Sequence, residues 1–260
     1  MDTTKKAWVN GSFLVATIGI NALGALGYIN GLTQEEISNR FVTLITPSPF
    51  TFGIWGVIYS LLVISVIMMI VKKNDAYYQR AVDRITVLFI VSCILNMAWI
   101  IAFSYVQIEL SVLFIFGLVI TLALICRELL KGNDGKHWML PLTFGTYTGW
   151  LLIATVVNTA AMLVKLNWSG FGIPADIWAI IVLVAAIILV TALLLRIRIA
   201  VFPLPVAWAY FGIYNYLRAP HGYKGEFVFL QNIALAGVVV LLALAAIQFY
   251  RNHVSLIPKS

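Results

Sequence analysis

Charged residues are scarce in this chain. They make up 10% of its 260 residues, whereas about 25% is usual in soluble domains. Hydrophobic residues make up 62%, and the few charges fall in short clusters between apolar runs of about 20 residues, the length that spans the hydrocarbon of a bilayer. The scarcity of charge excludes a soluble domain and predicts an integral membrane protein whose partner along most of its surface is the lipid bilayer.

Cysteine and histidine are also rare. Cys93 and Cys126 lie in or at the end of apolar runs without CxxC spacing, so neither a disulfide framework nor a metal site is predicted. His137, His221 and His253 are scattered over connecting segments, and no nucleophile occurs beside a base. The sequence therefore indicates no catalytic residue, no metal-ligating residue and no required cofactor.

Acidic residues number only ten against 17 basic ones, which gives a net charge of +7. A basic protein can be a nucleic-acid partner, but here the basic residues occur in small groups, each beside an apolar run. This distribution is typical of the flanks of membrane spans, so no nucleic-acid partner is predicted.

The apolar runs predict an all-α, polytopic helical bundle with about eight transmembrane helices. The seventh run is short and has Pro203 and Pro205 near its start, where proline disturbs a helix least. If it does not cross, the count falls to seven. The eight predicted spans are 7–28, 50–71, 85–105, 110–126, 138–164, 177–195, 200–217 and 229–250.

The distribution of lysine and arginine predicts the orientation, because cytoplasmic segments retain positive charge. With the N-terminus inside, the outer segments hold only Arg40, Lys165, Arg218 and Lys224. Both termini are therefore predicted in the cytoplasm, with the protein in the plasma membrane. The inner segments hold the other basic residues: Lys5, Lys6, Lys72, Lys73, Arg80, Arg84, Arg127, Lys131, Lys136, Arg196, Arg198, Arg251 and Lys259.

The longest outer connection, residues 29–49, contains a pattern that starts a short helix. Thr33 and Glu36 have the spacing of a capping box, and Ile37, Phe41 and Leu44 follow at helical spacing. We expect this segment to lie on the membrane surface with its apolar side downward. It is either a lid or an interfacial helix without a gating role.

Ionisable residues are missing from the middle of the predicted spans, which disfavours ion-coupled transport and proton pumping. The interior instead holds the amides Asn21, Asn96, Asn158 and Asn215. An amide in lipid needs a partner, so these side chains are expected to face other helices. They serve either as contacts between helices or as ligand-binding groups.

Three spans carry stripes of aromatic and amide residues on one face, because residues three or four apart are neighbours on a helix. Such stripes fit a ligand cavity and a packed core equally well. They comprise Trp55 and Tyr59 on the second span, Asn96, Trp99 and Phe103 on the third, and Trp150, Ala154 and Asn158 on the fifth.

These segments resemble the motifs of the tryptophan-rich sensory protein family (TspO/MBR), which includes the mitochondrial translocator protein. Residues 47–59, PSPFTFGIWGVIY, are similar to its proline-led FG-x-x-W-x-x-x-Y segment. Residues 95–103, LNMAWIIAF, are similar to its LN-x-x-W-x-x-x-F signature, and Trp150 to Asn158 matches W-x-x-x-A-x-x-x-N. The motifs occur in order over roughly residues 7–165.

The resemblance implies a five-helix membrane domain over 1–165, followed by three additional transmembrane helices over 166–260 of unknown role. It also implies a receptor, sensor or carrier that binds planar hydrophobic ligands, either porphyrin and haem-like tetrapyrroles or sterol-like compounds, and a homodimer. The positions expected to line the pocket are Trp55, Tyr59, Asn96, Trp99, Phe103, Trp150, Ala154 and Asn158.

Three other functions stay open at this point. A permease for a small organic solute would use the asparagines in place of charges. A membrane enzyme acting on a tetrapyrrole would need an activated residue or a metal, and a structural role would need no ligand at all.

Overall fold

The computed structural model describes residues 2–131, 133 and 135–258, and this part of the chain is entirely helical apart from turns and loops. The all-α prediction is confirmed. The helices are α1 (Thr3–Ala25), α2 (Gln34–Ser38), α3 (Ile54–Val71), α4 (Ala76–Ser104), α5 (Ile108–Leu130), α6 (Met139–Lys165), α7 (Ala175–Ile197), α8 (Leu204–Arg218) and α9 (Val228–Arg251).

Seven segments of the described chain are long and apolar enough to cross a membrane. They are α1, α3 with the 3₁₀ turn Pro49–Gly53 that precedes it, α4, α5, α6, α7 and α9. A helix satisfies all its backbone hydrogen bonds internally, which is why apolar runs of this length become helices in lipid. The polytopic membrane bundle predicted from composition is thus confirmed.

The seventh predicted span, 200–217, differs from the others. Its helix α8 has 15 residues, about 22 Å of rise, which is short of the roughly 30 Å hydrocarbon thickness. The residues before α8, from Ile199 to Phe202, are irregular and buried. Non-helical backbone at membrane depth is tolerated where protein covers it, so protein contacts rather than lipid accommodate this part of the chain.

The neighbouring helices show that the chain nevertheless returns through α8. The last turns of α7 and α9 meet at one end of the bundle, where Asn252 Nδ2 donates to the carbonyl oxygen of Arg198 at 2.9 Å. The backbone N–H of Ala200 donates to the carbonyl oxygen of Leu256 at 2.8 Å. Since α7 and α9 end together, residues 199–218 carry the chain back to the opposite end of the bundle.

Buried polar side chains link the helices inside the bundle. Asn21 Nδ2 on α1 donates to Asn96 Oδ1 on α4 at 2.6 Å, and Asn158 Nδ2 on α6 donates to Ser111 Oγ on α5 at 2.9 Å. These three amides contact other helices, as expected. Asn215 does not contact another helix. Its Nδ2 donates to the carbonyl oxygen of Phe211 in the same helix, and the residue is partly exposed in the last turn of α8.

Asp75 caps α4 at the end of the bundle where α1 begins and α9 ends. Its carboxylate accepts from the backbone N–H groups of Tyr77 and Tyr78 at 2.8 and 3.3 Å, and His137 Nε2 lies 3.4 Å away. Partial burial raises the pKa of Asp75, but these hydrogen bonds and His137 outweigh it and hold that pKa below its usual value of 3.8. The carboxylate therefore stabilises the folded state.

We expect Asp75→Ala to lower the free energy of unfolding by about 1 kcal/mol, the typical value of an N-cap. Because the folded-state pKa is depressed, this stability is present above pH 4 and is lost as the pH falls through the folded-state pKa. Thermal unfolding in detergent across pH 3–8 measures it. Asp75→Asn keeps a capping side chain and serves as the control; equal midpoints for wild type and Asp75→Ala at pH 7 would contradict the prediction.

Candidate ligand-binding site

Large aromatic side chains from three helices converge around Trp55, in the second residue of α3. The ring of Tyr59 stacks on Trp55 with centroids 5.4 Å apart. Trp99 from α4 lies 5.9 Å from Trp55, and Trp150 from α6 lies edge-on at 6.2 Å. The buried hydroxyl-bearing ring of Tyr147 is 6.0 Å away. Three stripes that are far apart in sequence therefore form one aromatic cluster.

The 3₁₀ turn before α3 is held in place by α8. Trp208 Nε1 donates to the carbonyl oxygen of Thr51 at 2.9 Å, and the backbone N–H of Ser48 donates to the carbonyl oxygen of Gly212 at 3.1 Å. A side chain at position 212 would meet Thr51, so glycine is required for this close approach. The contact places Phe52 edge-on to Trp150, 6.3 Å between centroids.

A cavity, here named the aromatic cavity, lies inside this cluster and has a volume of about 80 Å³. It is lined by side chains from α3, α4, α6 and α8 and from the outer connection. Six of the eight residues predicted from the sequence line it: Trp55, Trp99, Phe103, Trp150, Ala154 and Asn158. The other lining residues are Gln34, Ser38, Phe41, Pro47, Phe52, Ile153, Val157, Ala161 and Ala209.

Two buried indole N–H groups border this cavity without an acceptor. Trp99 Nε1 and Trp150 Nε1 have no hydrogen-bond partner within the described ranges. A buried donor left unpaired costs about 1–3 kcal/mol, and buried tryptophan N–H groups normally find a partner. Both nitrogens lack accessible surface, so a ligand with acceptor atoms reaches these two donors only when neighbouring side chains move.

Asn96 and Tyr59 occupy different places. Asn96 is fully buried and does not line the aromatic cavity, since it donates to the Tyr147 hydroxyl at 2.7 Å and accepts from Asn21. Tyr59 lines a second cavity, the α1 cavity, of about 400 Å³. Asn96 thus supports the ring of Tyr147, while Tyr59 lies on the far side of Trp55.

The α1 cavity adjoins the aromatic cavity, and both are bordered by Gln34, Phe52 and Trp55. These three side chains form the partition between them. Ligand sites usually have volumes of about 300–1,000 Å³. The aromatic cavity alone is too small for a large planar molecule, whereas the α1 cavity alone is within that range, and movement of the partition would join the two.

The outer connection covers the aromatic cavity. The capping box that starts α2 is present: Thr33 Oγ1 accepts from the Glu36 N–H at 3.1 Å, and the Thr33 N–H donates to Glu36 Oε2 at 2.7 Å. These bonds hold the pKa of Glu36 below its usual range. The helix ends at Ser38, earlier than expected, and Ile37 is buried against the bundle.

Gly24 of α1 makes room for this cover. A Cβ atom there would lie 2.8 Å from Ile100 Cγ2 on α4 and 3.0 Å from Gln34 Nε2 on α2. The absence of a side chain lets Gln34 reach over α1 to border both cavities. The close approach was not evident from the sequence, because Gly24 has no motif around it.

The structure adds nine lining positions that were not predicted as site residues, and three of them show what the sequence analysis missed. Phe52 lies in the quoted FG motif, so its position carried a signal that the analysis of helical stripes did not use. Gln34 belongs to the capping-box segment, and Ala209 lies on α8, in the part of the chain to which no role was assigned. Ala209 places the C-terminal region beside the cavity.

A comparison with models of known protein families gives a match. A model of the TSPO-like protein family matches residues 7–247. This chain belongs to the TSPO-like family. The match continues past residue 165 through α7 and α8 and into α9, so the family resemblance is longer than the five-helix segment quoted from the motifs. The division of this TSPO-like chain at residue 165 stays a prediction. Comparisons with curated proteins and with solved structures give no match.

Proposed function

We propose that this TSPO-like protein is a membrane receptor or carrier that binds planar hydrophobic ligands, with porphyrins and haem-like tetrapyrroles as the first class. The observation that carries the proposal is the pair of unpartnered indole N–H groups of Trp99 and Trp150 beside an apolar cavity. Aromatic faces supply stacking and dispersion, and the two N–H groups orient acceptor atoms of the ligand. No activated nucleophile is needed for this function.

The ligand occupies the space that forms when the aromatic cavity and the α1 cavity are joined. Trp55 is only half-buried and contacts four other rings, so its rotation removes much of the partition and lets a flat ring system slide between Trp99 and Tyr59. The outer connection, with Gln34, Ser38 and Phe41 at the cavity, serves as the lid. The capping box keeps that lid folded.

We propose that the protein lies in the plasma membrane. The end of the bundle with the greater number of basic residues then faces the cytoplasm. That end holds the ion pair between Lys6 and Asp83 at 2.7 Å and the Arg84 contact with the carbonyl of Lys131. Retention of positive charge on the cytoplasmic side supports this orientation. Lys259, also predicted inside, lies outside the described residues. Homodimerisation stays a prediction.

The first experiment is a titration of the purified protein in detergent with protoporphyrin, measured by tryptophan quenching and corrected for absorption by the ligand. Wild type is expected to bind saturably. Ala154→Leu fills the aromatic cavity and is expected to weaken binding at least about fivefold, as an overpacking cost of 1–3 kcal/mol implies. Ala160→Leu adds the same atoms to the same helix outside that cavity and is the matched control.

Two outcomes would contradict the proposal. An absence of saturable binding by wild type would remove porphyrin as the ligand and bring the permease forward, to be tested by solute flux in liposomes. Equal affinities for Ala154→Leu and Ala160→Leu would place the bound porphyrin somewhere other than the aromatic cavity.

A further inference from the structure

A long groove on the outside of the bundle lies between α5, α6 and α7 and is lined by α6 residues other than those that line the aromatic cavity. Its volume is about 350 Å³, and we name it the α5–α7 groove. It shares no lining residue with either cavity of the ligand site. Its lining residues are Phe116, Val119, Ile120, Ala123, Thr148, Leu152, Thr155, Val156, Thr159, Ala160, Leu163, Val182, Leu189 and Leu193.

The groove offers hydrocarbon and no free polar group. Its only hydroxyls belong to Thr148, Thr155 and Thr159, and each donates to a backbone carbonyl one turn earlier in α6. Phe116 and Ile120 on its rim remain 47% and 58% exposed. At membrane depth such a surface is covered by hydrocarbon rather than water. A sterol hydroxyl would find no free donor among these lining residues, only threonine oxygens that can accept.

The groove is longer on α6 than on α7. Along α7 it extends from Val182 to Leu193, about 16 Å of helix rise, and along α6 from Thr148 to Leu163, about 22 Å. Half of the hydrocarbon thickness of a bilayer is about 15 Å. The part along α7 therefore has the length of an acyl chain in one leaflet, and such a chain brings its headgroup to the level of the C-terminal end of α7.

Two arginines stand where that headgroup would be. Arg127 follows Ala123 by four residues on α5, and Arg196 follows Leu193 by three residues on α7, so both continue the lining stripes toward the same end. Both side chains are exposed, and the Arg127 guanidinium is 3.4 Å from Glu128. Guanidinium groups bind phosphate oxygens in a bidentate manner.

We propose that the α5–α7 groove holds one acyl chain of an anionic phospholipid whose phosphate is bound by Arg127 and Arg196. The apolar lining selects a hydrocarbon chain, and the two positive charges select an anionic headgroup over a zwitterionic one. This site is separate from the aromatic cavity and does not rest on the ligand proposed for it. It makes α7 part of a lipid-binding surface.

Native mass spectrometry of the full-length protein tests the site. The probes are phosphatidylglycerol and phosphatidylcholine with identical chains, titrated into protein stripped of lipid. Wild type is expected to bind phosphatidylglycerol more tightly. Arg127→Gln with Arg196→Gln is expected to weaken that binding about 30-fold, at about fivefold per arginine. Arg80→Gln with Arg251→Gln removes the same charge from exposed positions elsewhere and is expected to change it less than about twofold.

The groove itself is tested by Ala160→Leu, which fills it, against Ala154→Leu, which fills the aromatic cavity. Ala160→Leu is expected to abolish binding of the tight lipid, and Ala154→Leu to leave it intact. Equal affinity for the two headgroups, or equal effects of the two arginine pairs, would overturn the phosphate site. Unchanged lipid binding in Ala160→Leu would show that the lipid does not occupy the groove. Two other results would also contradict the proposal: tighter binding of a sterol than of phosphatidylglycerol by wild type, and loss of a dimer rather than of a bound lipid in Ala160→Leu.

Discussion

A Gly149→Ala variant is expected to lose about 2 kcal/mol of folding free energy and about 4–8 °C in thermal midpoint. A Cβ atom at this position in α6 would overlap the carbonyl oxygen of Phe202 and lie 3.3 Å from its carbonyl carbon. Backbone atoms cannot rotate away as a side-chain end can, so α6 and the irregular segment before α8 must separate. That segment is fully buried, and its displacement exposes apolar surface and unpaired backbone groups.

Thermal unfolding in mild detergent, followed by intrinsic fluorescence, measures this loss. Gly19→Ala is the matched control, because a Cβ atom at position 19 of α1 meets nothing within 4 Å. Its midpoint is expected to equal that of wild type or to rise slightly. If Gly149→Ala and Gly19→Ala unfold at the same temperature, the close packing of α6 on residues 199–202 does not contribute to stability.

The membrane fold follows from composition and run length, because each apolar run of about 20 residues has only one way to satisfy its backbone in lipid. Seven helices therefore appear close to where the sequence predicts them. The ends are less accurate. α4 begins at Ala76 rather than 85, since Asp75 caps it and Tyr77 and Tyr78 are buried on its inner side. Hydropathy alone does not detect such a polar extension of an apolar helix.

The passage through α8 illustrates what a linear pattern cannot show. Residues 199–202 are apolar and continue the run of α8, so hydropathy alone favours a single helix from 200 to 217. In the structure they leave the helix and pack on α6, where Gly145 and Gly149 have no side chains to obstruct them. The surface of α6 that these residues contact is about 50 residues away in sequence, and the residues around Pro203 do not predict that contact.

The candidate site was predictable to the extent that helical spacing defines a face. Trp55, Trp99 and Trp150 each lie on a stripe, and the three stripes meet. Spacing does not resolve the angle within a face, which is why Asn96, three residues before Trp99, is directed to Asn21 and Tyr147 instead of the cavity. Contributions from the outer connection and α8 depend on tertiary contacts and required the structure.

Replacing both Trp99 and Trp150 by phenylalanine is expected to affect stability and binding in opposite directions. In the unliganded protein the two indole N–H groups are buried without acceptors among the described residues, and each such donor costs about 1–3 kcal/mol. Phenylalanine removes the donor and keeps an aromatic face, and the space left by the smaller ring adds to a cavity that already exists. The thermal midpoint of the unliganded variant is therefore expected to equal or exceed that of wild type.

Binding is expected to fall in the same variant, because the ligand loses two hydrogen-bond donors. At about 1 kcal/mol for each hydrogen bond, the affinity for protoporphyrin drops about 30-fold. Isothermal titration calorimetry measures it without relying on tryptophan fluorescence. Trp208→Phe is not a neutral control, since Trp208 Nε1 donates to Thr51; it is expected to lower the thermal midpoint. A double variant that is less stable than wild type but binds porphyrin equally well would show that the indole N–H groups serve the fold and not the ligand.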